Sequence, residues 1–573
     1  MTASAIGSLL ARLETVVDVA ARRPGHLAWP SRARLADRLR ALFYATPFYS
    51  LTLVGRVPER MAVQPPDPWP GSAVRGDALF QGRYRFAGHE VSAPKRPVWL
   101  PVGANAAWLE ELHAFEWLRD FKASGGNSAR RHARALIGDW LGQFGHWRPL
   151  VWRADVQGRR IAAWAGAAGF LLNGAEPGWR RGFLASLSMQ LRHLARTAEG
   201  DVDGARRIAA LRGLLYGGLC LGGGEARVAL AVRGLVRECR RQVLADGGHL
   251  ERSPRLQRRV LGDLADCRAL LRAANRVPPE ELTRTIDRMA PMLRALCHGD
   301  GGLAQFNDSG EGDAALVAAT LALAEASGSP QANAPHVGFQ RLAAGGTVVI
   351  VDCGAPYPGS DHAHAGTLAV EMSAGSHRLV VNCGPHSGRE PQWVQALRST
   401  AAHSTLVVAD TSSSAVRGDG SLGRRPLKVA CRREQADGAI WLDASHDGYA
   451  ANFGLIHRRR LYLESAGGDL RGEDSLVLSG EPGPPGPQPF AVRFHLHPSV
   501  QASLVLHGQA ALFRLADGSG WQLRAHGGSL ALNASVYIDA DGERRRCEQA
   551  VIAGVTGPEG TTVKWAITRV AGR

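Results

Sequence analysis

Lysine is scarce in this chain. Only Lys95, Lys122, Lys428 and Lys564 occur, so nearly all of the 68 basic residues are arginine; set against 52 acidic ones they leave a formal net charge of +16. An arginine bias follows from a GC-rich genome, or from attraction to polyanions such as acidic polysaccharide, nucleic acid or a membrane surface. The charge is dispersed and no basic tail is present. No zinc finger or RNA-recognition motif occurs, which excludes the common nucleic-acid modules. Cysteine is also thin: the 8 residues are scattered with no C-x-x-C pair. That excludes a thiolate zinc ribbon and argues against a disulfide framework. Cys220, Cys239, Cys267 and Cys297 read as small core residues. No run of about 18 apolar residues occurs, so no membrane-spanning helix is expected. The N-terminus, MTASAIGSLLARLETVVDVAARR, lacks a basic region followed by an apolar run, and Glu14 and Asp18 interrupt it. It reads as an amphipathic helix, and the expectation is a cytoplasmic protein.

What is present divides into three parts. A chain of 573 residues is too long for one core. Residues 1–103 form a lead-in. Its first 60 or so residues look helical and basic, and the Pro- and Gly-rich remainder holds one short hairpin in GRYRFAGHEV. Residues 104–331 carry apolar positions at i, i+3, i+4 spacing in segment after segment, such as ARRHARALIGDWLGQF and RIAALRGLLYGGLCL. Helices of similar length joined by short Gly-containing turns predict an α/α toroid, or incomplete barrel. Residues 332–573 alternate with period 2 between Gly and Asp turns, which predicts an antiparallel β-sandwich. The expected class is therefore a multidomain α+β protein.

The most informative stretch is VDCGAPYPGSDHAHAGTLAVEMSAGSHRLVVNCGPHSGREPQWVQALRSTAAHST, at 351–405. His362-Ala363-His364 leads into an alternating run, and a strand would place both imidazoles on one face. A second strand ends in Asn382-Cys383-Gly384, and the cluster Arg398-Ser-Thr-Ala-Ala-His403-Ser-Thr405 follows. This order resembles the C-terminal β domain of heparinase II/III-type polysaccharide lyases. Asp246-Gly-Gly-His249-Leu-Glu251-Arg252-Ser253-Pro254 in the helical part is similar to the D-G-x-x-x-E-x-S-P turn of the same family.

The resemblance implies a toroid packed against a sandwich, and cleavage of uronate-containing glycans by β-elimination. That chemistry needs a group to neutralise the uronate carboxylate, a base for the C5 proton and an acid for the leaving oxygen. By the family pattern His362 matches the catalytic histidine. His364, Asn382 and His403 match the metal positions, implying one divalent metal such as zinc. Asn382 stands where an aspartate is usual, and zinc prefers His, Cys and carboxylate. The family's catalytic tyrosine follows the Pro of the turn; here Arg255, Leu256 and Gln257 follow it instead. The family's asparagine is missing near Asp203–Arg207. His249, Glu251 and Tyr357 are the remaining candidates for acid–base work. Arg206, Arg207, Arg252 and Arg398 are the candidates to bind an acidic substrate. Trp108, Trp117, Trp147, Trp152 and Trp164 offer faces on which sugars stack, and one or two are expected in the cleft.

Three functions compete. The leading one is a uronate-polysaccharide lyase; exported members of that type make the periplasm the alternative location. The second is a non-catalytic glycan-binding or cell-envelope biogenesis protein on the lyase scaffold, favoured by the missing tyrosine and asparagine. The third is a hydrolase using Glu251 and Asp308 as paired acids.

Overall fold

A computed structural model describes residues 39–570 apart from 95–98, 102, 386–389, 482 and 485. The expected N-terminal amphipathic helix lies outside the described residues. The lead-in contains the hairpin Arg83–Phe86/His89–Ser92. From Ala106 to Ala324 the chain is helical. The helices Ala154–Gly166, Gly204–Cys220 and Pro254–Ala273 are buried on almost every face and line the inside of the toroid. Gly126–Phe144, Pro177–Thr197, Glu225–Gln242 and Glu280–Ala295 each bury one stripe and wrap the outside. Two inner helices touch through glycine, since a Cβ on Gly213 would lie 2.2 Å from Gly158 Cα. All four helical cysteines are buried free thiols.

Strands begin at Asn333 and build two antiparallel sheets. One runs, edge to edge, from Gln501–Val505 to Val429–Ala436. The other runs from Ser529–Ile538 to Asn333–Ala334 and contains Val370–Ala374 and His377–Val381 at its centre. Inward residues such as Val349, Met372, Leu461 and Phe494 fill the space between the sheets. A fully buried polar knot sits in this core. Asp474 accepts from His457 Nε2 (2.7 Å), Arg459 Nε (2.7 Å) and Trp565 Nε1 (2.8 Å). Arg458, between them in sequence, points outward to Asp443.

The domains meet through polar bonds. Arg252, in the toroid, donates to the carbonyls of Val337 (2.7 Å), Gly354 (3.0 Å) and Ala355 (2.9 Å) and to the Asp352 carboxylate. Glu371, on the central strand, accepts from His298 Nε2 (2.9 Å) and the Gln305 N–H (3.0 Å) with one oxygen. Its other oxygen accepts from the Asn382 N–H (2.9 Å) and Asn382 Nδ2 (3.0 Å). Asp246 accepts from the N–H groups of His336 and Val337, both at 2.8 Å. The two buried carboxylates, Asp352 and Glu371, are thus satisfied across the boundary, as such groups must be.

Candidate active site

The site forms where the turn 306–311 of the toroid meets the loop 353–369 of the sandwich. Asn307 and Asp308 both take left-handed backbone angles, φ 48° and 59°, which Asn and Asp tolerate better than most residues. The turn aims the Asp308 N–H and carboxylate at the loop. His362-Ala363-His364 is not in a strand: the strand starts only at Val370, after Leu368 at φ 64°. The segment from Gly354 to Gly366 is too rich in Gly, Pro, Ala and Asp to hold a ladder. The two imidazoles still act on one residue. His362 Nδ1 donates to Asp308 Oδ2 (2.8 Å), and His364 Nε2 accepts from the Asp308 N–H (3.1 Å).

Asp308 also takes Arg255 (2.9 Å). Burial opposes its charge, but Arg255 and His362 outweigh burial and hold the carboxyl well below its usual range. It is ionised at neutral pH, so in a two-carboxylate hydrolase it could serve only as base or nucleophile, and the acid would have to be Glu251, which Ser360 Oγ engages (2.8 Å). The Nδ1–H bond to Asp308 leaves His362 Nε2 facing the cleft, and the side chain is 22% exposed.

The other predicted residues have diverse fates. Glu251 accepts from Ser360 Oγ (2.8 Å), which itself accepts from the His362 N–H (3.1 Å), so Glu251 braces the loop. His249 is near His362 but buried. Its Nε2 donates to Gln242 (3.0 Å), and its Nδ1 accepts from the Glu251 N–H (3.4 Å). Burial, then the neighbouring His362, drives its pKa down to about 3, so both nitrogens are occupied and it is neutral. Tyr357 is 39% exposed on the loop. Arg252 is corrected from substrate ligand to domain clamp, since its donors are engaged by the sandwich. Arg207 is bound to Glu238 (3.2 Å) and the Val202 carbonyl, on the side of helix Glu225–Gln242. Arg206 lies 3.8 Å from both Glu110 and Asp155, which Arg153 also grips. Burial raises the Asp155 pKa, but Arg153 and its neighbours bring it to about 2. Arg398 donates only to the Asp361 (2.5 Å) and Gly420 (2.9 Å) carbonyls and keeps its charge near Asp308.

The tryptophans are core. Trp108, Trp117, Trp152 and Trp164 are at most 4% exposed, and Trp147 packs against the same cluster. The expectation that one or two line the cleft is corrected: their indoles fill the space between helices. Asp308 and Arg255 were missed as a pair with His362. Their signals were the acidic turn after Phe306 and the arginine that follows Pro254.

His364 and His403 do come together, as a hydrogen-bonded pair, while Asn382 is bonded to Glu371 and Ser404. The Ser399 carbonyl can only accept, so His403 Nδ1 carries a proton toward it (2.7 Å). His403 Nε2 is then bare and takes the Nδ1–H of His364 (3.2 Å), whose Nε2 takes the Asp308 N–H. Asn382 Oδ1 accepts from the Ser404 N–H (2.9 Å). Burial keeps both rings neutral, His403 at about 4. Gly366 permits the packing, because a Cβ there would lie 2.7 Å from His403 Cδ2. The imidazole lone pairs a metal would need are already occupied, and the third residue is a neutral amide, so these residues do not fit zinc as they stand. Protein purified without chelator should carry well under one zinc per chain by elemental analysis. One tightly held zinc per chain would show that the three residues rearrange around it.

The fold and these residues can be set against known proteins. A sequence profile described as Heparinase II/III-like, C-terminal, matches residues 326–566. The FtsZ-localized protein C of Caulobacter vibrioides is 33% identical over 573 residues, covering 96% of this chain and 98% of that protein. The chain belongs to the heparinase II/III-like family. A crystal structure of heparinase III superposes with a TM-score of 0.70 at 14% identity, over 96% of this chain and 93% of that one. The heparan sulfate lyase HepC of Pedobacter heparinus gives 0.57 at 16% identity, over 94% and 89%. At these identities the two structures establish the toroid-plus-sandwich lyase scaffold. They do not carry their substrates over to this chain. Within the family pattern, the place after Pro254 where a tyrosine is usual holds Arg255, an ion-pair partner, and Leu256, a buried core residue at 6% exposure.

Proposed function

We propose that this protein is a non-catalytic member of the heparinase II/III-like family, using the lyase scaffold for recognition in envelope biogenesis at the division site. The observation that carries this reading is the pairing-off of the cleft. Arg255 is neutralised by Asp308, and Arg153 and Arg206 by Glu110 and Asp155. Of the arginines a lyase could turn toward a uronate carboxylate, Arg255 and Arg153 are thus engaged internally, while Arg206 is half-exposed and Arg398 meets only two carbonyls. Of the acid–base pair that elimination requires, His362 remains, while the family tyrosine is replaced. A missing general acid or base removes about 10²–10⁴ in rate. The full-length relative is named for its localisation with FtsZ, which supports a place at the division machinery.

The second reading is a uronate lyase with His362 as base. It is favoured by the outward Nε2 of His362 and by the ionised Asp308 that orients the ring. One experiment separates the two. Elimination creates an unsaturated uronate that absorbs in the ultraviolet, so acidic polysaccharides are incubated with wild-type protein and with His362→Ala. The expected result is no difference in absorbance, together with a fluorescent fusion that concentrates at the division plane only when FtsZ is assembled. A rise lost in His362→Ala would establish the lyase and remove the first reading.

A further inference from the structure

The inside of the toroid holds a second charged feature, set back from the His362 cleft. A cavity of about 90 Å³ lies between the lead-in at Pro66 and Trp69 and the inner helices. Its wall contains four carboxylates, and each has a partner. Asp67 pairs with Lys122 (2.7 Å), and Glu116 with Arg259 (3.2 Å). Asp263 pairs with Arg212, which also lies 3.1 Å from Asp266. Asp266 further accepts from Tyr216 (2.7 Å).

Two guanidinium groups of the wall remain. Among the described residues, neither Arg119 nor Arg258 has a carboxylate within ion-pair distance. Burial, with smaller contributions from the neighbouring Arg259 and Arg119, pushes the Arg258 pKa down to about 10 against the opposing pull of Asp263 and Glu116. The Nε groups of Arg119 and Arg259 are buried without an acceptor. Uncompensated charge of this kind is costly to hold inside a fold.

We propose that this cavity binds one small oxyanion of the phosphate or sulfate class, held by Arg119, Arg258 and Arg259. The wall carries five cations, Arg119, Lys122, Arg212, Arg258 and Arg259, against four carboxylates, and this excess of one positive charge favours an anion. Guanidinium forks fit tetrahedral oxyanions with paired hydrogen bonds. The volume suits an ion that replaces a few waters, and not a sugar chain. Its Arg259 stands one helical turn from Arg255 of the His362 site, on the same helix, and the inference rests on the cavity's own arginines whichever function that site has.

The oxyanion is either free or carried on a small sugar. Calorimetric titration of the full chain with sodium phosphate, sodium sulfate and a hexose monophosphate, against sodium chloride at matched ionic strength, tests this. One saturable site per chain is expected for phosphate or sulfate, and none for chloride. Tighter binding of the hexose monophosphate would assign the group to a sugar, and equal or weaker binding to the free ion. Arg258→Gln should weaken binding at least tenfold. It should also raise the melting temperature in chloride, because it removes an unmatched cation; a purely structural arginine would lower it. Arg119→Gln provides a second variant with the same expectation. No saturable binding of any oxyanion at millimolar concentration, or wild-type affinity in both variants, would overturn the proposal.

Discussion

Arg252→Ala should separate the unfolding of the two domains. Its guanidinium meets three carbonyls and one carboxylate of the sandwich, and the side chain is nearly inaccessible. Alanine leaves Asp352 buried with its charge unmatched, although Gly354 and Asn307 still donate to it. Removing one partner of a buried pair costs about 3–5 kcal/mol. Urea unfolding followed by circular dichroism at helical wavelengths and by tryptophan fluorescence should change from one transition to two, the earlier shifted to lower denaturant. Arg252→Lys should rescue little, since one ammonium cannot reach four acceptors in different directions. A single unshifted transition in Arg252→Ala would show that the apolar contacts of the boundary suffice.

Acid should destabilise the protein well before its carboxylates titrate. Burial drives the pKa of His113, His249 and His495 down to about 3, and of His193 and His403 to about 4. In the folded state these rings stay neutral. In the unfolded chain each takes a proton as pH falls below about 6.5. The unfolded state then binds more protons, so stability is complete above that pH and is lost as pH falls toward 4. Each group contributes a loss of about 1 kcal/mol one pH unit below the unfolded value. Five groups together make several kcal/mol, and calorimetry should show the melting temperature falling by roughly 10 °C between pH 7 and 5.5. The depressed carboxylates Asp155 and Asp308 act in the same direction but only below about pH 4, so the two windows are distinct. A melting temperature that is flat from pH 7 to 5 would mean that these histidines reach solvent.

The layout of the fold was legible because its periodicities are strong. Period 3.6 in segments such as Glu225–Gln242 and period 2 in Leu455–Leu463 come directly from one-sided burial. The helix start at Asp313 was legible as well, since its side chain caps the N–H groups of Ala315 and Leu316. The site was legible by residue type and not by partner. His362 was visible, while Asp308, 54 positions earlier, was only one carboxylate of an acidic turn. No local pattern joins residues from two domains. The same limit misplaced Arg252: a sequence shows that an arginine is present, but not which four oxygens surround it. Local composition also misled at 362–364, where alternation suggested a strand that begins only at Val370, after the left-handed Leu368.

The carboxylates that join toroid to sandwich, Asp246, Asp352 and Glu371, belong to neither member of the His362–Asp308 pair. The His362–Asp308 pair also crosses the boundary, but these three carboxylates hold the boundary without taking part in that pair. A lineage can lose a tyrosine from the cleft wall without loosening the joint that makes the wall. The released surface is then free to drift toward new contacts while the architecture is inherited intact.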